Sequence, residues 1–152
     1  MRTDSLRLAP LELNHVGEVQ TIAGRSFTRV WSRSDFAYFL AHDCRLAFGT
    51  FDYATGQPRL VAYFIALLVQ GDLDVVSVAT LPEHRRQGLA EKLLRHACAQ
   101  PRVQRAFLEV DVANYSAIAL YEKLGFKVTA KRKGYYDGTQ DAFVMSRNLG
   151  GQ

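Results

Sequence analysis

The stretch LDVVSVATLPEHRRQGLAEKLLRHACAQ, Leu73 to Gln100, decides how the chain folds. Its first nine residues are rich in β-branched side chains and read as a strand, Leu73 to Leu81. Pro82 ends that run. From about Gly88 to Gln100 the period becomes helical, with Leu89, Leu93, Leu94, Ala97 and Cys98 on one face. Arg105 to Val112 is strand again, and Ser116 to Leu124 is a helix that Asn114 starts and Gly125 stops, where a left-handed residue is wanted. Strand, helix, strand and helix in that order imply a right-handed crossover, with the Leu73 and Arg105 strands parallel or nearly so.

Upstream, Ser5 to Leu8 is a short strand. Val16, Val19, Ile22, Ala23 and Phe27 then recur at helical spacing behind Asn14, a good N-cap. Ser34 is placed to cap a second, short helix whose Phe36, Phe39 and Leu40 share a face. Arg45 to Phe51 and Leu60 to Gln70 are β-rich runs which, with the Leu73 strand, form an antiparallel meander. Two last strands, near Lys127 to Lys133 and Asp141 to Asn148, complete a mixed α/β (α+β) sheet.

The chain has 152 residues, enough for one domain that buries roughly two thirds of its unfolded surface. A hydrophobic fraction of 48% and a charged fraction of 22% exclude disorder and collagen-like repeats. The longest apolar run, Leu60 to Val69, is about half of the ~20 residues that a membrane span needs, and Met1 to Ser5 leads into no apolar signal segment. Cys44 and Cys98 show neither CxxC nor Cys/His spacing, so both are expected as reduced, well-buried thiols of a cytoplasmic protein. His15, His42, His84 and His96 have no ligand spacing either, and no metal is expected. A net charge of +4 with scattered basic residues favours an anionic ligand over nucleic acid.

The chemistry is concentrated at two places. The loop Pro82-Glu83-His84-Arg85-Arg86-Gln87-Gly88-Leu89-Ala90 joins a strand end to a helix start, where free backbone N–H groups, the positive end of the helix dipole and two arginines suit phosphate oxygens. The loop lacks the Gly-Lys-Ser/Thr ending of a nucleotide P-loop and the three-glycine dinucleotide pattern, which argues against ATP and NAD. Its plain alternative is a solvated basic turn. In the strand Arg105 to Val112, alternation puts Ala106, Leu108, Val110 and Val112 on one face and Glu109 on the other. With helices on both faces, Glu109 would be a partly buried acid of raised pKa, suited to proton transfer; otherwise it is a Glu paired with a surface cation. Tyr121, one turn after Ile118, is either a packed core ring or a catalytic phenol, and Asn114 needs no role beyond capping. The absence of a Gly-x-Ser-x-Gly elbow disfavours covalent catalysis.

Arg86-Gln87-Gly88-Leu89-Ala90, then Leu108-Glu109-Val110, then Asn114, then Ala119-Leu120-Tyr121-Glu122-Lys123-Leu124-Gly125-Phe126 together resemble the GNAT superfamily of N-acetyltransferases. The likeness is strong over Val75 to Phe126 and loose before Leu73. Gly134-Tyr135-Tyr136, Asp141-Ala142-Phe143-Val144-Met145 and Trp31-Ser32 look further like the RimI-type ribosomal-protein N-alpha-acetyltransferases, although Ser77 stands where those chains commonly have Asn, and Ala90 where the family often has a second glycine. The resemblance implies the acyl-CoA N-acyltransferase fold: a single mixed, mostly antiparallel sheet with central parallel splayed strands flanked by helices, forming one domain over residues 1–152. It implies acetyl-coenzyme A (acetyl-CoA) as acyl donor and no metal. Its pantetheine arm would run along Val78, Ala79 and Thr80, backbone N–H groups near Val78 would polarise the carbonyl, and its pyrophosphate would rest on Arg85, Arg86, Gln87, Gly88, Leu89 and Ala90. Glu109 would then be the general base, Tyr121 the acid or hydrogen-bond donor to the leaving thiolate, and Asn114 a coenzyme contact.

The acceptor implied is a primary amine, most readily a protein N-terminus such as that of a ribosomal protein. An α-amine of pKa near 8 is about 10% neutral at pH 7, a lysine below about 0.1%, so a single carboxylate suits the former better. The alternatives are a small-molecule amine or protein lysine as acceptor, and a non-catalytic acyl-CoA-binding regulatory module. A monomer or homodimer without nucleic-acid or membrane partners is expected.

Overall fold

A computed structural model describes residues 5–27, 30–134 and 141–150. Seven strands form one sheet in the order β1-β2-β3-β4-β5-β7-β6, with β1 Leu6–Pro10, β2 Arg45–Asp52, β3 Arg59–Val69, β4 Asp72–Thr80, β5 Arg105–Asp111, β6 Lys127–Arg132 and β7 Ala142–Asn148. The helices are α1 Val16–Gly24, α2 Arg33–Leu40, α3 Leu89–Cys98 and α4 Tyr115–Lys123. The expected meander is β2-β3-β4, antiparallel throughout, and the β4-α3-β5 crossover makes β4 and β5 parallel neighbours.

Helix ends follow from local chemistry, and two differ from expectation. Ser32, not Ser34, caps α2: its hydroxyl accepts from the Asp35 N–H at 3.1 Å while the Asp35 carboxylate accepts from the Ser32 N–H at 3.1 Å, a reciprocal box that leaves Ser34 already inside the first turn. Asn14 does not cap α1, because a short 3₁₀ turn, Leu13–His15, precedes the helix and Glu12 and His15 form the box there. The helix ends at Gly24, so Phe27 falls outside it and stays 41% exposed. Asn114 does cap α4, its Oδ1 accepting from the Ala117 N–H at 3.3 Å. Gly125, at φ +93°, takes the left-handed position that stops α4.

Phe48 of β2 lies opposite Phe64 of β3, and His96 of α3 stacks edge-on against Phe48 at 4.5 Å. Tyr63, next to Phe64, points to the other face, where Phe36 of α2 meets it at 6.3 Å. α3 therefore covers one face, and α1 and α2 the other. The Lys123 ammonium lies 2.9 Å from the Glu91 carboxylate, which places α4 beside α3. Ala106, Leu108 and Val110 of β5 are buried on the α3 side. Their alternates Arg105, Glu109 and Asp111 are exposed, because α1 and α2 cover β2 to β4 and leave the same face of β5 open. The expectation of a partly buried Glu109 under helices on both faces is thus corrected: its side chain is 51% exposed. Cys98 is buried as expected, but Cys44 is partly exposed; both thiols are free.

Tyr63 is fully buried, and its hydroxyl is 2.8 Å from the Ser77 hydroxyl, a bond that ties β3 to β4. Burial pushes this phenol up to about 12, with the Ser77 bond opposing. The folded state thus holds the proton more tightly than the unfolded chain, so this contribution to stability is complete below the ordinary tyrosine value near 10 and is lost as pH rises towards 12. Tyr63→Phe is expected to flatten that alkaline loss in urea titrations while costing about 0.5–1.5 kcal/mol at neutral pH. An unchanged alkaline limb would show that Tyr63 does not carry it.

Candidate active site

The β4–β5 ladder contains three residue pairs, Asp72 with Arg105, Leu73 with Ala106 and Asp74 with Phe107. Immediately beyond, β4 carries a bulge: Ala66 of β3 lies opposite Val75 and Ile65 opposite Ser77, which leaves Val76 as the extra residue. Such an insertion bends the strand and increases its twist, so β4 diverges from β5. On its other edge β5 pairs with β7 along its whole length, Arg105 to Asp111. Val78, Ala79 and Thr80 keep their partners on β3 and lie beyond the last residue pair with β5. Their backbone groups on that edge suit an extended amide-bearing ligand.

The loop after β4 is tied down on several sides. Glu83 pairs with Arg25 and Arg59, each at 3.2 Å. The buried His84 ring approaches Asp52 at 3.6 Å. The Arg85 guanidinium donates to the Thr80 carbonyl at 3.2 Å and the Ser26 hydroxyl at 3.3 Å, so the protein itself engages this side chain. Arg86 is exposed and sits in the left-handed region at φ +66°; Gly88 follows at φ +74°. Left-handed residues at such spacing turn successive N–H groups towards one concavity, an anion-binding nest. Gly88 is the N-cap of α3 without a side-chain acceptor, so the first N–H groups of α3 lack one too. A Cβ on Gly88 would meet nothing within 4 Å, so open space lies over this backbone. Gln87 Oε1 is buried without a hydrogen-bond partner among the described residues. Arg85 to Ala90 thus combine an N–H cradle, a helix dipole and, in Arg86, a cation with no ion pair among the described residues, a combination suited to an anion such as a pyrophosphate.

Glu109 projects from the open face of β5, with Arg132 Nε 3.0 Å from its Oε2. Asp74, on the same face of the neighbouring strand, has its carboxyl held above the usual range, first by burial and then by the Glu109 charge. Tyr121 lies on α4, partly buried against the core, with the Phe126 ring at 6.1 Å. Desolvation raises its phenol, so the hydroxyl stays protonated, and it makes no hydrogen bond among the described residues. Asn114 spends its Oδ1 on the α4 cap. Glu109 and Tyr121 therefore belong to opposite sides of the sheet, and the parting of β4 from β5 is the opening between them.

Asp74 and Arg132 went unnoticed in the sequence, because no spacing along the chain brings three different strands to one carboxylate. Trp31 stacks on Phe39 at 5.3 Å and meets Phe36 at a tilt, 5.4 Å between ring centres. Tyr135 and Tyr136 lie outside the described residues. Among the described residues no group of three or more His, Cys, Asp or Glu is arranged to hold a metal, and no helix is long and apolar enough to cross a membrane.

A mixed seven-stranded sheet with one parallel pair that parts after three residues, flanked by four helices, is the fold shared with solved N-acetyltransferases. The crystal structure of the ribosomal-protein-S18-alanine N-acetyltransferase from Escherichia coli superposes with a TM-score of 0.87 at 28% identity, covering 97% of this chain and 96% of that one. The NatC complex bound to Gag peptide and CoA shares the fold, with a TM-score of 0.83 at 20% identity over 95% of this chain and 99% of that one. The Acetyltransferase (GNAT) family matches residues 16–126, and the chain belongs to that family. A putative ribosomal-protein-bS18-alanine N-acetyltransferase of Bacillus subtilis is 31% identical over 89% of this chain and 90% of its own length. An N-alpha-acetyltransferase of Saccharolobus solfataricus is 47% identical over 49% of this chain. The match spans about half of that archaeal relative, 47% of its length.

The nest separates two contributions at Arg86. With the coenzyme's phosphates on this loop, Arg86→Glu would reverse the charge beside them and is expected to weaken acetyl-CoA binding by at least about tenfold, since a charge-assisted hydrogen bond is worth roughly 1.5–3 kcal/mol. Arg86→Gly keeps the left-handed backbone, removes the charge without reversing it, and should weaken binding less. Calorimetry giving wild-type affinity for a folded Arg86→Glu variant would remove this loop from the coenzyme site.

Proposed function

We propose that this protein transfers the acetyl group of acetyl-CoA to the N-terminal α-amine of a protein, the alanine of a ribosomal protein being the acceptor class that its relatives' names suggest. The carrying observation is the edge of β4 left unpaired beyond Asp74, with the left-handed backbone of Arg86 and Gly88 in the loop after it and Glu109 on the exposed face of the neighbouring strand. The site belongs to one N-acetyltransferase domain over residues 1–152, which acts in the cytoplasm.

Bound acetyl-CoA supplies a thioester whose carbonyl an amine attacks directly. Arg86 and the N–H groups of Gly88, Leu89 and Ala90 hold the pyrophosphate, with Gln87 beside them and Arg85 bracing the loop. The edge of β4 at Val78, Ala79 and Thr80 aligns the pantetheine arm, and an N–H near Val78 polarises the carbonyl oxygen. Asn114 contacts the coenzyme from the start of α4. Glu109 takes the proton that the amine loses as the new C–N bond forms. Tyr121, kept protonated by burial, donates a hydrogen bond to the sulfur as the C–S bond breaks. A phenol of pKa ~10 or above is a weak acid towards a thiolate of pKa ~8.5, so that hydrogen bond, more than full proton transfer, is its contribution. Alignment of amine and thioester supplies much of the rate.

Single-turnover rates with saturating acetyl-CoA and an alanine-initiated peptide test these roles. Tyr121→Phe is expected to slow the reaction by roughly 10- to 1000-fold with coenzyme affinity nearly intact, because the lost bond forms mainly in the transition state. A variant reacting at the wild-type rate would make Tyr121 a core residue. Glu109→Gln should keep coenzyme binding and lower turnover by roughly 100-fold, most at low pH where neutral amine is scarcest. Lysine peptides and spermidine, run beside the N-terminal peptide, test the acceptor class; faster transfer to either would reassign it. No thiol release with any amine would favour a binding module.

A further inference from the structure

Arg132 is the last residue of β6, and β6 does not pair with β5, because β7 lies between them. In register Arg132 stands opposite Ala142, and Ala142 opposite Asp111, so the acid directly in line with Arg132 is Asp111. Asp111 turns instead to its own loop, accepting from the Ala113 N–H at 2.8 Å. The guanidinium reaches diagonally to Glu109, Nε to Oε2 at 3.0 Å. Glu109 lies opposite Val144, and Ala142 and Val144 leave a low floor for a long side chain to cross. The result is a cation on the one carboxylate of β5 that the acceptor's amine must approach.

We propose that Arg132 is a positioning residue of the acceptor site, holding the Glu109 carboxylate in the free enzyme at the place the acceptor's ammonium takes, so that acceptor binding exchanges one cation for another. The inference rests on Glu109 as the base. Both partners are largely exposed, at 63% and 51%, and an exposed pair of this kind shifts an equilibrium by about fivefold at most, so the exchange tunes acceptor binding without blocking it. Among the described residues Asp74 and Asp111 flank Glu109 on this face as acids, and the cations of the same face besides Arg132 are Arg105, held 3.2 Å from Asp72, and Lys127, in line with Phe107 through Ser146. An arriving ammonium, compact and with three donors, satisfies the same carboxylate and brings the nitrogen to the group that takes its proton.

Steady-state kinetics with acetyl-CoA and an alanine-initiated peptide give the test. Arg132→Gln should lower the peptide KM about two- to fivefold while kcat changes less than twofold. Arg132→Lys, which keeps a cation within reach, should stay within twofold of wild type in both. In a Glu109→Gln background, Arg132→Gln should leave KM unchanged, because the carboxylate being contested is gone. An unmoved or raised KM for folded Arg132→Gln, or a fall that persists without Glu109, overturns the exchange. Glu109→Gln reacting at the wild-type rate overturns the base and the exchange with it; a slow Glu109→Gln beside an unmoved Arg132→Gln overturns the exchange alone.

Discussion

Parallel pairing between β4 and β5 stops at Asp74 and Phe107, and the rest of the site depends on that stop. A continued ladder would seal the sheet and consume the β4 edge in strand hydrogen bonds. Instead the bulge at Val76 turns β4 away, while β7 holds β5 straight from its other edge. Tyr63 supports the bend from beneath, since its buried hydroxyl meets Ser77 directly after the bulge. Both walls of the opening are therefore stiff. Val78 to Thr80 remain laddered to β3, and Glu109 to β7.

The electrostatics divide between the two ends of this opening. At the end of β4 the loop is stapled by pairs that face the protein: Glu83 to Arg25 and Arg59, His84 to Asp52, Arg85 to Thr80 and Ser26. Their joint effect is to hold the backbone of Arg86 to Gly88 in a conformation that a free chain would rarely adopt, and to leave Arg86 for a ligand. On the open face, Glu109 and Arg132 are largely exposed, so the energy of their pairing is small. Small energies suit a surface where an acceptor must come and go. All four histidines contribute to packing or capping: His15 at the start of α1 over Phe51, His42 on the Cys44 N–H, His84 on Asp52 and His96 on Phe48.

Membership of the acetyltransferase family agrees with this arrangement at two levels. The match over residues 16–126 takes in α1 through the end of α4, and so includes both the nest and Glu109. The superposition on the Escherichia coli enzyme covers 97% of the chain, including the first strands, where the sequence resemblance is loose. Shape is kept there because alternation and turn position constrain a strand more weakly than residue identity constrains a phosphate loop.

The sequence by itself determined the elements and the loop. Periods of two and of 3.6 marked the strands and helices; Gly125 and Asn114 marked the ends of α4; and Gly88 behind two arginines marked the left-handed start of α3, because these signals are local and depend on backbone chemistry within a few residues. It misplaced two caps, at Asn14 and Ser34, where several residues able to cap lie side by side and side-chain geometry selects among them. What tertiary structure decided was the environment of Glu109. Whether a carboxylate on an alternating strand is buried depends on which helices reach across the sheet, and here α1 and α2 stop short of β5. Its partners come from β4 and from β6, 35 residues before and 23 after in the chain. No periodicity links such positions; sheet order and register bring them together.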